Sequence, residues 1–167
     1  MAPAKDIEVS QLLEAAATLI ANVANCWLVT MSRSGGANVR PMGRVPLDPN
    51  LNDWKFLFLT DGRSRKIGEI RSVNRVQVIF QNDPDEAYAT LAGVAKPIVD
   101  RSEVEALWRA RYDVHFPTHE DRAHATFLEI AVDRMELWIR GVTPEPFGIR
   151  PTVIKREIGG EWRLGSV

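Results

Sequence analysis

The stretch Trp54-Lys55-Phe56-Leu57-Phe58-Leu59-Thr60-Asp61-Gly62-Arg63-Ser64-Arg65-Lys66 changes character twice in thirteen residues. Trp54 to Thr60 is an apolar and aromatic run of strand length, which reads as a buried strand. Asp61-Gly62 supplies turn chemistry, and Ser64 to Arg71 reads as a short helix opened by a serine cap. Strand, turn and helix thus follow one another directly.

Upstream, Ile7, Leu12, Leu13, Ala16, Leu19, Ile20 and Val23 recur at helical spacing and predict one opening helix, its start ambiguous around Ser10, Gln11 and Glu14. Cys26 to Ser32 is rich in β-formers, Ser34-Gly35-Gly36 is a turn, and Asn38 to Leu47 resumes an extended pattern, together a hairpin. Pro41 and Pro46 cannot donate ladder hydrogen bonds. The second strand is therefore expected to be irregular, or to face away from a partner there, and such a strand is a place for a ligand to meet backbone.

Downstream, Arg75 to Gln81 and Glu86 to Val99 pair through Asn82-Asp83-Pro84-Asp85 as a second hairpin. Asp100 or Ser102 caps a helix expected to reach about Tyr112, with Val104, Leu107 and Trp108 on one face. His115 to His124 reads as loop, and Thr126 to Arg140 as one long strand. Val153 to Glu157 and Trp162 to Leu164 are expected to pair across Gly159-Gly160. Six or more strands against three helices, none placed regularly between successive strands, predict a mainly β (α+β) fold with an antiparallel barrel. With no repeat or linker, residues 1–167 read as one domain.

Composition narrows the function. The 167 residues are 45% hydrophobic and 26% charged with a formal net charge of −1, so no bulk basic field invites nucleic acid. The Ala15–Ala24 run, interrupted by Thr18 and Asn22, falls short of the ~20 apolar residues that span a bilayer. Lys5, Asp6 and Glu8 do not make a secretory leader. The single cysteine, Cys26, fits a reducing compartment, and a cytoplasmic location without membrane or nucleic-acid partners is the expectation.

Between Arg63 and Arg75 there are five basic residues against one acid, Glu69. Three of them, Arg63, Arg65 and Lys66, crowd the start of the predicted helix, where cations oppose the macrodipole. A bound anion resolves that conflict, since free amides, the Thr60 and Ser64 hydroxyls, Arg65 and Lys66 together suit a phosphate. The alternative is a solvated basic face.

Leu59-Thr60 followed by Ser64-Arg65-Lys66 resembles the flavin-phosphate motif of the pyridoxamine 5′-phosphate oxidase superfamily. Asn74-Arg75-Val76 to Phe80, continuing through Gly93, resembles the strand that follows it there. Arg40-Pro41-Met42-Gly43 resembles the family's arginine-led strand along the flavin, and Arg134 to Trp138 the late strand whose tryptophan flanks it. The resemblance runs from about Leu19 to Trp138. The opening helix, Cys26-Trp27-Leu28-Val29-Thr30 and the long loop ending near His124 resemble most the general-stress-protein branch.

That resemblance implies a split antiparallel β-barrel with flanking helices, and FMN as cofactor, with FAD or another phosphate-bearing, flavin-like molecule such as a deazaflavin as alternatives. It implies cofactor contacts from Arg40, Pro41, Met42, Gly43, Leu59, Thr60, Ser64, Arg65, Lys66 and Trp138. It also implies a homodimer with two cofactor sites at a two-fold interface, Trp138 coming from the opposite subunit and the strand around Leu137, Trp138 and Ile139 buried between subunits. Tyr88 stands where the oxidase itself has a glutamine. The Glu103–Tyr112 helix lacks that enzyme's tyrosine, arginine and serine set apart from Arg111, so vitamin B6 oxidation is not expected. The reading is an FMN-dependent oxidoreductase of a small-molecule substrate, with no catalytic residue assigned. The alternatives are a non-catalytic flavin carrier or stress sensor, or a cofactor-free structural dimer.

His115, His119 and His124 near Asp113, Glu120 and Asp121 lack clean zinc spacing, and no metal site is assigned. Cys26, in an apolar strand with no visible base, reads as a small core hydrophobe, and Trp54, Phe56, Phe58 and Phe80 read as core.

Overall fold

The computed structural model describes residues 7–45 and 53–167. Pro46 and Leu47, in the second half of the expected Asn38–Leu47 strand, lie outside the described residues. Helix α1 (Val9–Asn22) buries Leu12, Ala16, Leu19 and Ile20, the spacing of one helical face against a core. Its N-cap is Glu8, and the Ser10 hydroxyl donates to the Glu8 carboxylate (3.3 Å) instead of capping. At its other end the Arg44 guanidinium donates to the carbonyls of Ile20 (2.7 Å) and Val23 (2.9 Å), the first of which also accepts from the Val23 N–H (3.5 Å).

Eight strands follow: β1 (Asn25–Met31), β2 (Ala37–Gly43), β3 (Lys55–Asp61), β4 (Arg75–Asn82), β5 (Ala87–Ile98), β6 (Ala125–Ile139), β7 (Thr152–Lys155) and β8 (Arg163–Leu164). Helix α2 (Arg65–Ser72) lies between β3 and β4, and α3 (Arg101–Leu107) and α4 (His119–His124) between β5 and β6. The strands make one antiparallel sheet in the order β2-β1-β4-β5-β6-β7-β8, with β3 on β6. Along one edge β6 pairs with β5 from end to end; along the other, its first half pairs with β3 and its second half with β7. The sheet thereby curls and brings β3 round to β2, yet does not close. Among the described residues one bridge spans the gap, Val45 N–H donating to the Leu57 carbonyl (2.8 Å). The result is the expected split barrel.

The interior holds Leu28, Phe58, Phe80, Leu91, Leu128 and Met135, each fully buried, and full burial of such side chains is worth about 1.5–3 kcal/mol apiece. A second cluster, on the far side of β3, joins Leu57 to Val104, Trp108, Tyr112, Ala125 and Phe127. Both faces of β3 are therefore covered, which is why its sequence is apolar without alternation. This second cluster also corrects the expected helix to Tyr112. Trp108 packs edge-on to Tyr112 and Phe116 (both 5.8 Å between ring centroids), so the chain leaves α3 at Leu107 and turns through a tight 3-10 segment, Ala110–His115. The expected loop at His115–His124 likewise contains α4, whose start is capped by Thr118 Oγ1 accepting from Asp121 N–H (3.0 Å).

The β5–β6 register shifts between Ala92 and Gly93. A Cβ on Gly93 would overlap the Ala131 carbonyl, so the close approach of the two strands requires glycine. Gly68, in the middle of α2, has nothing within 4 Å of its Cβ direction. Gly93→Ala is expected to lose about 1–3 kcal/mol in urea denaturation, the cost of forcing a methyl into packed structure. Gly68→Ala is expected to gain roughly 0.5–1 kcal/mol from helix propensity alone. Equal behaviour of the two variants would contradict the packing described.

Candidate functional site

The split between β2 and β3 gathers the basic residues. Arg40 on β2 pairs with Leu28 on β1, so both side chains point to the inner face of the sheet, beside the first turn of α2. Its Nη1 donates to Thr30 Oγ1 (2.8 Å), and Thr30 in turn donates to Glu69 Oε2 (2.7 Å). Asn38 Nδ2 donates to both Glu69 oxygens (3.1 and 3.2 Å). Thr30 first, then Asn38, Arg65 and Arg40, hold the Glu69 carboxyl below the ordinary range. From β3, Thr60 Oγ1 accepts from Lys66 Nζ (2.7 Å), which also donates to Ser64 Oγ (3.3 Å). Ser64 occupies the N-cap of α2 without capping it, and no acid stands in the first turn, so the helix start faces this pocket with its amides uncapped by any side chain.

Two like charges consequently share a partly desolvated space. Burial, and then the Arg40 charge, push the Lys66 ammonium below its usual pKa; burial, and then Arg65, do the same to the Arg40 guanidinium against the opposing pull of Glu69. Arg40 Nη2 is buried with no hydrogen-bond partner among the described residues. An unmet donor, two depressed cations and a helix N-terminus all favour an anion of phosphate size. Arg63 is not part of this set. It is engaged by Asp61 (2.7 Å), whose carboxyl it holds down to about 2.

Of the residues read from sequence, Arg40, Thr60, Ser64 and Lys66 meet here, with Arg65 at the rim, 74% exposed and paired to Glu69 (3.0 Å). Gly43 and Leu59 line an adjoining cleft of about 580 Å³ together with Arg44, Arg111, Tyr112 and His115. Pocket and cleft lie along the facing edges of β2 and β3, which among the described residues meet only at the Val45–Leu57 bridge. Met42 turns inward against the core, and Pro41 is exposed on the outer face of the edge strand. Trp138, expected from the opposite subunit, is remote from this site within its own chain. It lies on β6, four strands from β2 across β1, β4 and β5, roughly 19 Å along the sheet at 4.8 Å per strand. Leu137 and Ile139, expected between subunits, are instead buried in the chain's own core, and only Trp138 faces outward. Among the described residues no three metal-ligating side chains come together, and no helix is long and apolar enough to cross a membrane.

Sequence reading did not find Thr30, Asn38 or the carboxylate that orients Arg40. The available signal was Glu69, the lone acid in a basic run.

The family model for pyridoxamine 5′-phosphate oxidase-like proteins matches residues 11–160. This chain belongs to that family. Solved structures of the same fold include a general stress protein 26-related protein from Clostridium acetobutylicum (20% identity, 89% of this chain and 96% of that one, TM-score 0.69). A pyridoxamine 5′-phosphate oxidase-related, FMN-binding protein from Nostoc punctiforme aligns over 95% of both chains at 12% identity and TM-score 0.67. PhzG from Burkholderia lata, in complex with tetrahydrophenazine-1-carboxylic acid, aligns over 99% of this chain and 94% of that one at 18% identity and TM-score 0.68. No curated protein matches the sequence.

The depressed Lys66 pKa sets a pH dependence. An anion stabilises the ammonium form, so binding takes up protons wherever Lys66 is partly neutral, and affinity falls as pH rises through the lowered Lys66 pKa toward the ordinary lysine range. Titration of a phosphate monoester across that range is expected to show this loss in the unmodified protein and a flatter profile in Lys66→Met.

Proposed function

We propose that the chain, acting as one domain over residues 1–167, is a flavin-nucleotide-binding oxidoreductase that works as a cytoplasmic homodimer on a small-molecule redox substrate. The observation that carries this reading is the Arg40–Lys66 pair with its unmet guanidinium N–H. FMN fits the site. Its phosphate answers Arg40, Lys66 and the start of α2, Thr60 and Ser64 offer hydroxyls, and the edges of β2 and β3 at Arg40–Gly43 and Leu59 offer backbone groups to the ring system. The bound flavin supplies the redox chemistry; the chain's residues hold and orient it, and no protein acid or base is assigned. The cleft of about 580 Å³ beside Gly43 and Leu59 has room for a substrate, which favours an enzyme over a carrier or sensor.

The position of the site supports a dimer. The interior is filled by side chains, so a flavin ring sits outside the barrel and needs a cover. The outer face of β2-β1-β4 presents Val39 (55% exposed), Trp27 (44%), Pro41 and Ile79, with Tyr88 and Trp138 further along the same face. Self-association of this face across a two-fold axis covers those apolar residues and carries Trp138 toward the partner's site.

Lys66→Ala and Arg40→Ala are each expected to weaken FMN binding by about 1.5–3 kcal/mol, the value of a hydrogen bond to a charged group, with the melting curve of the apo-protein little changed. Titration followed by flavin fluorescence measures this, and unchanged affinity in the double variant removes the assignment. Reduced nicotinamide with an electron acceptor is expected to bleach and recycle the bound flavin; stoichiometric flavin that no donor reduces points to a carrier. Val39→Asp is expected to yield monomers in sedimentation and to release flavin with them.

A further inference from the structure

Helix α1 carries a second stripe beside the one it buries. Gln11, Glu14, Ala15 and Thr18 recur at i, i+3, i+4 and i+7, and with the β6–β7 connection they enclose a cavity of about 840 Å³. Its floor is apolar, made by Ala15, Val142 and the nearly buried Ile139. The opposite wall is a turn held by its own bonds. The buried Thr143 donates its hydroxyl to the Ile139 carbonyl (3.1 Å) and accepts from the Ile139 N–H (3.0 Å), and the Val142 N–H donates to the same carbonyl (3.0 Å). Glu145 is fixed in turn, its carboxylate accepting from the Phe147 N–H (2.6 Å) and from Arg140 Nη1 (3.3 Å). The cavity is thus formed in advance, at a size that takes a small organic molecule. None of its lining residues belongs to the phosphate pocket or to the cleft beside it.

The charge around that floor has one sign. Among the described residues no basic side chain lines the cavity, and the Glu14 carboxylate has no partner. The Thr18 hydroxyl donates its hydrogen to the Glu14 carbonyl (3.0 Å), which leaves its lone pairs to accept. Arg140 does not offset both acids: it is shared between Glu145 and the two oxygens of Glu86 (2.9 and 3.0 Å), with its guanidinium over the Phe147 ring (4.1 Å). An anion in the cavity would meet two carboxylates, and a neutral apolar body would desolvate them without compensation. A metal ion would leave the apolar floor without a partner. The complement is an apolar body that carries ammonium N–H donors, which form charge-assisted hydrogen bonds to Glu14 and find a further acceptor in Thr18.

We propose that this cavity is a binding site for an organic amine with an apolar body, separate from the flavin site. The test is calorimetric titration of the full chain at physiological salt with tryptamine and with indole-3-propionate, which keeps the indole body and reverses the charge. Tryptamine is expected to bind at least about tenfold more tightly than the carboxylate. Glu14→Gln removes the unpartnered charge at an exposed helix position and is expected to weaken tryptamine binding about fivefold or more. Ala15→Phe fills the floor and is expected to abolish binding with the circular dichroism spectrum unchanged; if that variant unfolds, Glu14→Gln decides alone. Excess FMN is expected to leave tryptamine affinity within about twofold. Equal affinity for the two indoles, no binding of tryptamine, or binding that Glu14→Gln leaves unchanged overturns the proposal. Displacement of tryptamine by FMN also overturns it, by placing the probe in the flavin pocket. Self-association of the unmodified chain that Ala15→Phe abolishes in sedimentation would show a second copy filling the cavity, and it overturns the assignment to a small amine.

Discussion

A strand that carries one neighbour along one edge and two in succession along the other cannot stay flat, and β6 is such a strand. Its pairing with β5 fixes it to the main sheet, while β3 and β7 divide its opposite edge near Ala131 to Arg134. The register shift at Gly93 sits at that division, where β5 must come close to the Ala131 carbonyl. The curl that follows sets β3 opposite β2 and leaves the two edges joined only at Val45 and Leu57 among the described residues. Everything at the candidate site inherits that geometry, because Arg40 and Thr60 belong to the two separated edges and α2 connects them.

The electrostatics follow from the same separation. Closing the seam with ladder hydrogen bonds would satisfy the backbone and leave no room for a ligand. Keeping it open lets Arg40 reach inward, where Thr30 and Glu69 hold one side of its guanidinium and leave Nη2 without an acceptor among the described residues. One carboxylate therefore serves Arg40 and Arg65, with Lys66 close by and donating to the Thr60 and Ser64 hydroxyls. The imbalance is a cost to the empty fold and a source of affinity for an anion.

Much of this was legible in the sequence because it is local. The β3–turn–α2 succession, the two hairpins and the long alternating β6 are patterns of neighbouring residues, and the strand pairings agree with them. Arg40, Thr60, Ser64 and Lys66 were singled out by motif, and they lie together beside the start of α2. What was not legible depends on contacts between distant residues. The Thr30–Glu69 bond joins positions 39 apart, and the end of α3 is decided by Trp108 reaching Phe127 on another strand. Leu137 and Ile139 looked like interface residues for the same reason. Alternation tells which residues share a face and leaves open whether that face meets the chain's own core or another subunit.

Cys26 has a consequence for how the seam can be watched. Its thiol lies in the core beneath the edge strand, donating to the Met42 carbonyl (3.5 Å), and burial raises its pKa to about 11. A reagent that needs thiolate can reach it only when the packing around it opens, so its rate of modification measures the free energy of that local opening. As the only cysteine in the chain, it makes the protein a single-site reporter of its own breathing, with no label to introduce and no second thiol to confuse the signal. A ligand seated along β2 would register as protection of a sulfur that it never touches.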